Sequence, residues 1–359
     1  MTRQPSIGLF TASWLPFERV EPLRLRALAA EAALQGAGFC IFPTDGVDLP
    51  GARVHGWTLA PDGWRRQALP LPDVVMNPLP PADDIDLRVY QELFRRIPFT
   101  TVRLPDKVGV AEMLNGTPLA PHVIPFRPLD RARTAECLDG FLAEHGRIVL
   151  KPARGRRGSG IRFLARVEGG ILVREQAGER TVSLGELVQT IEAQGDEPWV
   201  LQKLIVSRAR DGRSFDIRVH VHKDGAGAWD VVRAYVRLGE AGLLVANTSR
   251  GGYQGDVGHF FAGLKDAGEA LVQRLKAVAL ATAAELDRRH QFAIDELGVD
   301  LLVDGALGIW IVEVNTHPQS RYHEFERARF AVAYALHRAR TRYLPGAGDP
   351  GRSEGLPAG

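Results

Sequence analysis

Cysteine is the scarcest residue in this 359-residue chain, which contains only Cys40 and Cys137. Two cysteines form neither a disulfide framework nor a zinc-binding pattern, so the default expectation is a reducing, intracellular setting. Long apolar runs are also lacking. No window approaches ~18 uninterrupted apolar residues, and the N-terminal stretch MTRQPSIGLFTASW has no long apolar segment. We therefore expect a cytoplasmic protein with neither a signal peptide nor a membrane span.

An excess of one charge sign is lacking as well. The chain has 45 Lys and Arg residues against 43 Asp and Glu residues, and its net charge is +2. Such a balance gives no whole-molecule attraction to nucleic acid. The basic segment RGRRG is accompanied by neither an aromatic stacking platform nor a basic stripe. We expect no nucleic-acid partner.

Length and composition indicate a globular protein with more than one unit. Hydrophobic residues make up 45% of the chain and charged residues 25%, which are typical globular values. At about 150 residues per domain, the length favours two domains or one domain with sub-lobes. We predict a small α/β domain over 1–99, a second domain over 100–344 with lobes at about 100–200 and 201–344, and a disordered Pro- and Gly-rich tail over 345–359.

Three common motifs are missing from the basic hairpin IVLKPARGRRGSGIRFL. It has no GK[ST] of a Walker A loop. Its glycines Gly155, Gly158 and Gly160 precede a strand, whereas a dinucleotide fingerprint precedes a helix. Arg157 stands where a nucleophile elbow around Ser159 would need glycine. The segment is therefore interpreted as a strand–loop–strand that could fold over phosphates, because its backbone N–H groups and cations suit an anion. The alternative is an ordinary solvated turn.

The strongest signal is a pair of carboxylates and an amide in GVDLLVDGALGIWIVEVNTHP. Side chains alternate between the two faces of a strand, which predicts that Glu313 and Asn315 are neighbours on the face that also carries Ile309 and Ile311. The flanking residues of this segment are apolar, which favours a site over a solvated sheet edge.

The same segment predicts a hairpin that brings the two carboxylates together. If the loop is Gly305–Gly308 and Asp304 faces Ile309, Asp300 lies opposite Glu313. Carboxylates directly across a sheet repel each other, so a cation between them is expected. Two anionic oxygens and one amide oxygen suit a hard ion such as Mg²⁺, and the alternative is a solvated sheet edge.

The segments FDIRVHVHK, AWDVVRAYVRL and GLLVANTS predict an antiparallel meander. In the first, the odd positions 215–221 are apolar and the even positions carry Asp216, Arg218, His220 and His222. Arg218 on a rigid strand is a candidate to hold a phosphoryl oxygen bidentately, with a solvated face as the alternative. The His pair lacks a nearby third ligand for zinc. The loop NTSRGG is a further candidate anion cradle.

These pieces occur in one order along the chain: DKVGVAEML, VLKPARGRRGSGI, VLQKLI, FDIRV, NTSRGG and GVDLLVD…WIVEVNTHP. In this order they resemble an ATP-grasp protein, and within that superfamily the YheC/YheD-like family, which is described as endospore coat-associated. The resemblance covers about residues 100–340. It implies an α/β (α+β) fold in which two α+β lobes clasp ATP, preceded here by the small N-terminal α/β domain.

The resemblance also implies ATP-binding roles for particular residues. Lys107 and Lys151 would contact the phosphates, and Asp211 is the nearest candidate for the ribose-binding acid. Gln202 would border the adenine at a place where members often have glutamate, which leaves its role open. The remaining nucleotide-binding residues would be the lid residues Arg154, Gly155, Gly158, Ser159 and Gly160, the hinge backbone of Lys203, Leu204 and Ile205, and Asn247.

Metal-binding and catalytic roles follow from the same resemblance. Asp300, Glu313 and Asn315 would hold one or two Mg²⁺ ions, with Mn²⁺ as a substitute. Catalytic roles at the transferred phosphoryl group or the acceptor would fall to Arg218, Arg250 and Lys151.

The function implied is an ADP-forming carboxylate–amine ligase of the peptide-bond type that acts through an acyl phosphate. The alternative is an ATP-binding structural or regulatory protein of the spore coat with little turnover. The carboxylate and amine substrates are not encoded in any motif. Association with the forming spore coat and a homodimer are carried over only from the resemblance.

Overall fold

The described residues form three β-sheets with helices packed on their faces. The computed structural model describes residues 3–13, 16–81, 83–153, 160–175, 178–239, 253–320 and 322–341. None of the helices in these ranges has the length and apolar character that crossing a membrane requires. The predicted strand GLLVANTS and the predicted disordered tail lie outside the described residues.

The described residues contain seventeen strands and nine α-helices. The strands are β1 (Ser6–Phe10), β2 (Gly38–Phe42), β3 (Val47–Asp48), β4 (Arg53–Ala60), β5 (Gly63–Pro70), β6 (Val74–Met76), β7 (Phe126–Pro128), β8 (Arg147–Pro152), β9 (Arg162–Val167), β10 (Gly170–Glu175), β11 (Gly178–Val182), β12 (Trp199–Lys203), β13 (Phe215–Lys223), β14 (Trp229–Leu238), β15 (Tyr253–Asp256), β16 (Glu296–Val303) and β17 (Ile309–Asn315). The helices are α1 (Pro16–Arg19), α2 (Pro22–Leu34), α3 (Asp84–Arg96), α4 (Lys107–Leu114), α5 (Thr134–His145), α6 (Leu184–Glu192), α7 (Val257–Phe261), α8 (Asp266–Arg289) and α9 (Glu324–Thr341).

The N-terminal sheet has the order β3-β4-β2-β1-β6, with β5 paired to β4. Strand β1 runs parallel to both β2 and β6. One face of this sheet packs on α2 and on α9, two helices that are far apart in the sequence. Ala328 and Val332 of α9 join the core around Leu25 and Leu28 of α2. Helix α9 therefore belongs to the core of the first sheet, although it comes more than two hundred residues later in the sequence. The division of the chain at residue 99 stays a prediction.

The middle sheet has the order β11-β10-β9-β8-β12-β7 and its strands pair antiparallel. Helices α5 and α6 cover one face, on which Ile148 and Leu150 of β8 are fully buried. Because strand side chains alternate, Val149 and Lys151 of β8 face the opposite way. This alternation directs Lys151 away from the core of the lobe.

The C-terminal sheet has the order β15-β14-β13-β16-β17 and is also antiparallel. Its apolar face packs on α4, α7 and α8 and buries the odd positions of β13, as predicted. The other face of β13 is not a solvated surface, because His220 and His222 are fully buried there. The solvated-face alternative for β13 is therefore wrong.

The hairpin β16–β17 confirms one expectation and corrects two. Asp300 pairs with Glu313, as predicted. However, Val303 rather than Asp304 pairs with Ile309, and an irregularity after Asp300 accommodates one extra residue in β17. The extra residue reverses the alternation, so Glu313 lies on the face opposite to Ile309, whose neighbours belong to the apolar core.

Candidate functional site

A cleft of ≈ 540 Å³ lies between the middle sheet and β17, with α4 along one side. Its apolar lining includes Val108 of α4, Val200 of β12 and Val314 of β17. Its polar lining includes four of the residues predicted from the sequence, which come from four separate elements: Lys107, Lys151, Gln202 and Glu313. The structure therefore brings these predicted residues together.

Lys107 is placed by the start of α4. The carboxylate of Asp106 caps this helix, since it accepts hydrogen bonds from the backbone N–H groups of Val108 and Gly109, both at 3.1 Å. Lys107 is therefore held in the first turn, where its ammonium lies 3.4 Å from Glu313 Oε2. Lys107, the predicted phosphate contact, therefore forms an ion pair with Glu313, the predicted metal ligand.

Lys151 is a cation in a poorly compensated environment. Its ammonium donates a hydrogen bond to Gln202 Oε1 at 2.7 Å, so its near partner is a neutral amide. Burial, followed by the charge of Lys107, lowers the pKa of Lys151 to about 8, and Glu313 opposes this only in part. Two lysine ammoniums at one cleft would be stabilised by an anionic ligand.

Asp300 is the centre of a buried network on the opposite face of the C-terminal sheet from the apolar core. Its carboxylate accepts two hydrogen bonds from Arg218, Nε at 2.6 Å and Nη2 at 2.7 Å, and lies 3.0 Å from Arg237 Nη2. Arg237 also contacts Asp216. Two guanidinium groups thus balance two carboxylates, and such bidentate pairs are the strongest kind of ion pair.

The network fixes the protonation of its members. Burial alone would raise the pKa of Asp300, but Arg218 and Arg237 outweigh burial and lower it. For Asp216, burial is the stronger effect and raises the pKa to about 6 despite Arg237. Burial would lower the pKa of Arg237, and the two carboxylates raise it instead. Asp300 is therefore the more firmly ionised of the two acids.

Asn315 connects this network to the cleft. In the amide orientation that satisfies both of its polar atoms, it donates to Glu313 Oε1 at 3.0 Å and accepts from Arg218 Nη2 at 3.2 Å. Asp300, Glu313 and Asn315 thus share one face of the hairpin, as the carboxylate–amide hypothesis requires.

The oxygen atoms of Asp300, Glu313 and Asn315 suit a hard divalent cation. Asp300 Oδ2 accepts from both arginines, but among the described residues Oδ1 accepts only from Arg218, and a carboxylate oxygen has about two acceptor sites. Glu313 is partly exposed at the cleft. Across the described ranges no three His, Cys, Asp or Glu side chains converge as a metal site, and this set has only two carboxylates. Its all-oxygen chemistry fits Mg²⁺.

Sequence reasoning missed Arg237 and Gly298. Arg237 pairs with Asp216 across β13 and β14, so the predicted meander could have revealed it. Gly298 pairs with Asn315, and a Cβ there would come 2.8 Å from Pro318 Cβ and 3.4 Å from Arg218 Nε. Glycine at this position leaves room for the Arg218 side chain.

The His pair of β13 is used for structure. His220 Nε2 lies 2.8 Å from Glu296 Oε1 and its Nδ1 lies 2.8 Å from His323 Nε2. His222 Nδ1 lies 2.8 Å from the carbonyl oxygen of Lys223. With these partners the two rings do not point to a common metal.

Several predicted residues fall outside the cleft or outside the described residues. Asp211 lies in an exposed turn, where its carboxylate accepts from Arg213 Nε at 2.7 Å. Lys203 Nζ lies 5.8 Å from the centre of the Trp310 ring. The hinge positions Leu204 and Ile205 are partly buried beyond β12. The predicted residues outside the described ranges are Arg154, Gly155, Gly158, Ser159, Asn247 and Arg250.

Gly160 is the one predicted lid residue that the described ranges include. Its φ is +75°, a conformation that L side chains rarely adopt. A Cβ there would also come 3.0 Å from Pro152 Cγ. Glycine therefore lets the chain turn closely past the end of β8, next to Lys151. Its role as a lid residue stays a prediction.

Two lobes lie on either side of a lysine-lined cleft, and the carboxylate–amide set lies on a hairpin at the edge of one sheet. This arrangement is the ATP-grasp fold, and solved structures of ATP-grasp ligases are similar to it. A D-alanine–D-alanine ligase from Bacillus anthracis matches with a TM-score of 0.56 at 12% identity, covering 94% of this chain and 99% of that chain. The ATP-grasp ligase PsnB, complexed with minimal precursor, matches with a TM-score of 0.54 at 15% identity, covering 95% and 99%. The predicted fold class is confirmed.

The chain belongs to the YheC/D like ATP-grasp family, whose model matches residues 96–340. The endospore coat-associated protein YheD of Bacillus subtilis (strain 168) is 24% identical over 334 residues, which are 88% of this chain and 72% of YheD. The endospore coat-associated protein YheC of the same strain is 26% identical over 225 residues, 60% of each chain. The family resemblance inferred from the sequence is confirmed.

Proposed function

We propose that this protein is an ATP-dependent, ADP-forming ligase that joins a carboxylate to an amine. The observation that carries the proposal is the meeting of Lys107, Lys151 and Glu313 in one cleft, next to Asn315 and Asp300. Two ammoniums suit the phosphates of a nucleotide, and the neighbouring oxygens suit the cation that accompanies them. The family's ATP-grasp fold supports the same reading.

The reaction needs positioning and charge neutralisation rather than a protein nucleophile. A substrate carboxylate oxygen attacks the γ-phosphorus, the bond from that phosphorus to the β–γ bridging oxygen breaks, and ADP leaves. An amine nitrogen then attacks the acyl carbon, the C–O bond to phosphate breaks, and the nitrogen loses its extra proton to solvent. Phosphate and an amide are the products.

The chain's own residues have separable roles in this scheme. Lys107 and Lys151 hold the phosphate oxygens and neutralise their charge. Arg218, held bidentately by Asp300, would contact the transferred phosphoryl group. The Mg²⁺ expected in this family would be held by Asp300, Glu313 and Asn315 and would neutralise phosphate charge. By the family resemblance, the predicted lid would cover the β- and γ-phosphates and exclude water, and Arg250 would face the transferred phosphoryl group or the acceptor.

The test is ADP release from Mg²⁺-ATP with a panel of amino acids and short peptides. We expect ADP to form only when a suitable carboxylate and amine are both present, and Glu313→Gln to abolish it. ATP binding without ADP release over the whole panel would favour the second candidate, an ATP-binding structural or regulatory protein of the spore coat. The observation behind that candidate is that YheD and YheC are both described as endospore coat-associated.

ATP affinity is expected to fall above about pH 8. Burial lowers the pKa of Lys151 to about 8, whereas bound phosphates favour the ammonium and raise its pKa in the complex. Binding therefore takes up a proton at higher pH, and affinity drops by up to about tenfold per pH unit. Isothermal titration in buffers of different ionisation enthalpy measures both the affinity and the proton uptake.

Lys151→Arg is the control for this pH dependence. Arginine stays protonated over the whole range, so the slope above about pH 8 disappears even if the affinity itself is lower. An unchanged slope in Lys151→Arg would show that another group titrates and would contradict the assignment of Lys151 to the phosphates.

A further inference from the structure

A second cavity of ≈ 320 Å³ lies where the N-terminal sheet meets the C-terminal sheet. The ends of β1 and β6 form one wall, and the start of β16 and the segment after β17 form the other. The residues that matter here are Asn77 and Thr101 on the first side and Asp295, Glu296 and His317 on the second, with Arg24 of α2 at their edge. Nothing in the ligase mechanism above uses this cavity.

Two polar atoms in its wall are buried without a hydrogen-bond partner, and a carboxylate lies beside them. Asn77 and Thr101 are 7% and 2% exposed, and among the described residues neither Asn77 Oδ1 nor Thr101 Oγ1 has a hydrogen-bond partner. Asp295 is 8% exposed, and its carboxylate makes no ion pair or side-chain hydrogen bond with the rest of the described chain. Buried polar groups without partners are rare because each costs free energy. Their convergence on one cavity points to a ligand.

The other charged groups in the wall already have partners. Glu296 accepts from Arg327 Nη2 at 2.7 Å. Arg24 lies 3.2 Å from Glu324 and 3.7 Å from Glu296. Asp295 is thus the one lining carboxylate that no hydrogen bond or ion pair engages within the described ranges.

We propose that this cavity binds the primary ammonium group of a substrate, with Asp295 as the counter-ion and Asn77 Oδ1 and Thr101 Oγ1 as acceptors. An ammonium has three donors and no acceptor, which matches these three groups. A carboxylate ligand would face Asp295 and is disfavoured by repulsion. The inference rests on the proposed ligase function and names a chemical feature of its substrate.

The register of the hairpin sets how far the ammonium is from the reacting atoms. Asp295 lies three residues before Gly298, which pairs with Asn315. At about 3.3 Å per residue this is roughly 10 Å along the strand. The ammonium is therefore an anchor, and the reacting carboxylate or amine is several bonds away. An ω-amino acid, a diamine or a short peptide has this shape, and glycine does not.

The test compares three four-carbon probes, butylamine, 1-butanol and butyrate, on the full chain without ATP at matched ionic strength. We expect butylamine to raise the melting temperature and the other two to have little effect. In Asp295→Asn the butylamine affinity falls about tenfold or more. Asp84→Asn, which removes the same charge from an exposed position in α3, leaves it unchanged. Stabilisation by butyrate rather than butylamine would overturn the inference.

Loss of binding through misfolding is separable from loss of the site. Because the Asp295 carboxylate has no partner, Asp295→Asn is expected to melt at the same or a higher temperature than the unmodified protein. Butylamine binding that depends on Asp295, with no ADP release over any panel, supports the cavity and contradicts the ligase. ADP release with an unchanged KM for every amine in Asp295→Asn supports the ligase and contradicts the cavity.

Discussion

Asp300→Asn is expected to lower the free energy of unfolding by about 3–5 kcal/mol. The side chain of Asp300 is 8% exposed and those of Asp216, Arg218 and Arg237 are 12–13% exposed. Their four charges balance, so removing one carboxylate leaves an uncompensated guanidinium. Asparagine also presents an N–H₂ group to arginine donors that now meet a carboxylate at 2.6–3.0 Å. Urea unfolding at neutral pH, followed by circular dichroism, measures the change.

Asp211→Asn is the matched control for Asp300→Asn. The Asp211–Arg213 pair has nearly the same Nε–carboxylate distance, 2.7 Å, but it is exposed to solvent. Exposed pairs are worth about 0–1 kcal/mol, so the control should change stability by less than that. Equal effects of the two substitutions would show that burial of the network does not determine its energy.

Acidification should remove the difference between Asp300→Asn and the unmodified protein. The pKa of Asp300 is lowered in the folded state, so its contribution to stability is present above the unfolded-state pKa and is lost as pH falls through the folded-state value. The contribution of Asp216 to stability depends on pH in the opposite direction. Its pKa is raised to about 6, and its contribution is lost as pH rises through that value. Asp216→Asn is therefore less destabilising near pH 7 than Asp300→Asn.

The pairing of Asp300 with Glu313 could be predicted from the sequence, although the route to it was inaccurate. The turn is one residue longer than expected, since Val303 and not Asp304 faces Ile309. The extra residue in β17 shifts the register back by one position, so Asp300 still pairs with Glu313. A period-two pattern cannot reveal such a bulge, because a bulge is set by how two strands pair and not by either strand alone.

The order of motifs was enough to predict the family and four residues that line the cleft, because each motif is local. Contacts between distant parts of the chain were not predictable in this way. Helix α9 packs on α2 through apolar residues that any amphipathic helix would have, so its partner is not encoded locally. The second cavity depends on this packing, and its lining joins residues as far apart in the chain as Asn77 and Asp295.

Lys151→Met is expected to weaken ATP binding by about 10- to 150-fold. Methionine keeps the aliphatic stem of the lysine and removes the ammonium, whose charge-assisted hydrogen bond to a phosphate oxygen contributes about 1.5–3 kcal/mol. The free protein should behave in the opposite way. Since burial lowers the pKa of Lys151 to about 8, the ammonium is unfavourable before the nucleotide binds, and methionine should raise the melting temperature of the free protein.

Opposite changes in ATP affinity and in melting temperature distinguish a phosphate-binding lysine from a structural one. Isothermal titration with Mg²⁺-ATP measures the first and a thermal melt without nucleotide measures the second. Lys276→Met in α8, which removes the same charge outside the cleft, serves as the matched control and should change neither quantity by much. An unchanged ATP affinity in Lys151→Met would contradict the assignment of the cleft to the nucleotide, whatever the melting temperature does.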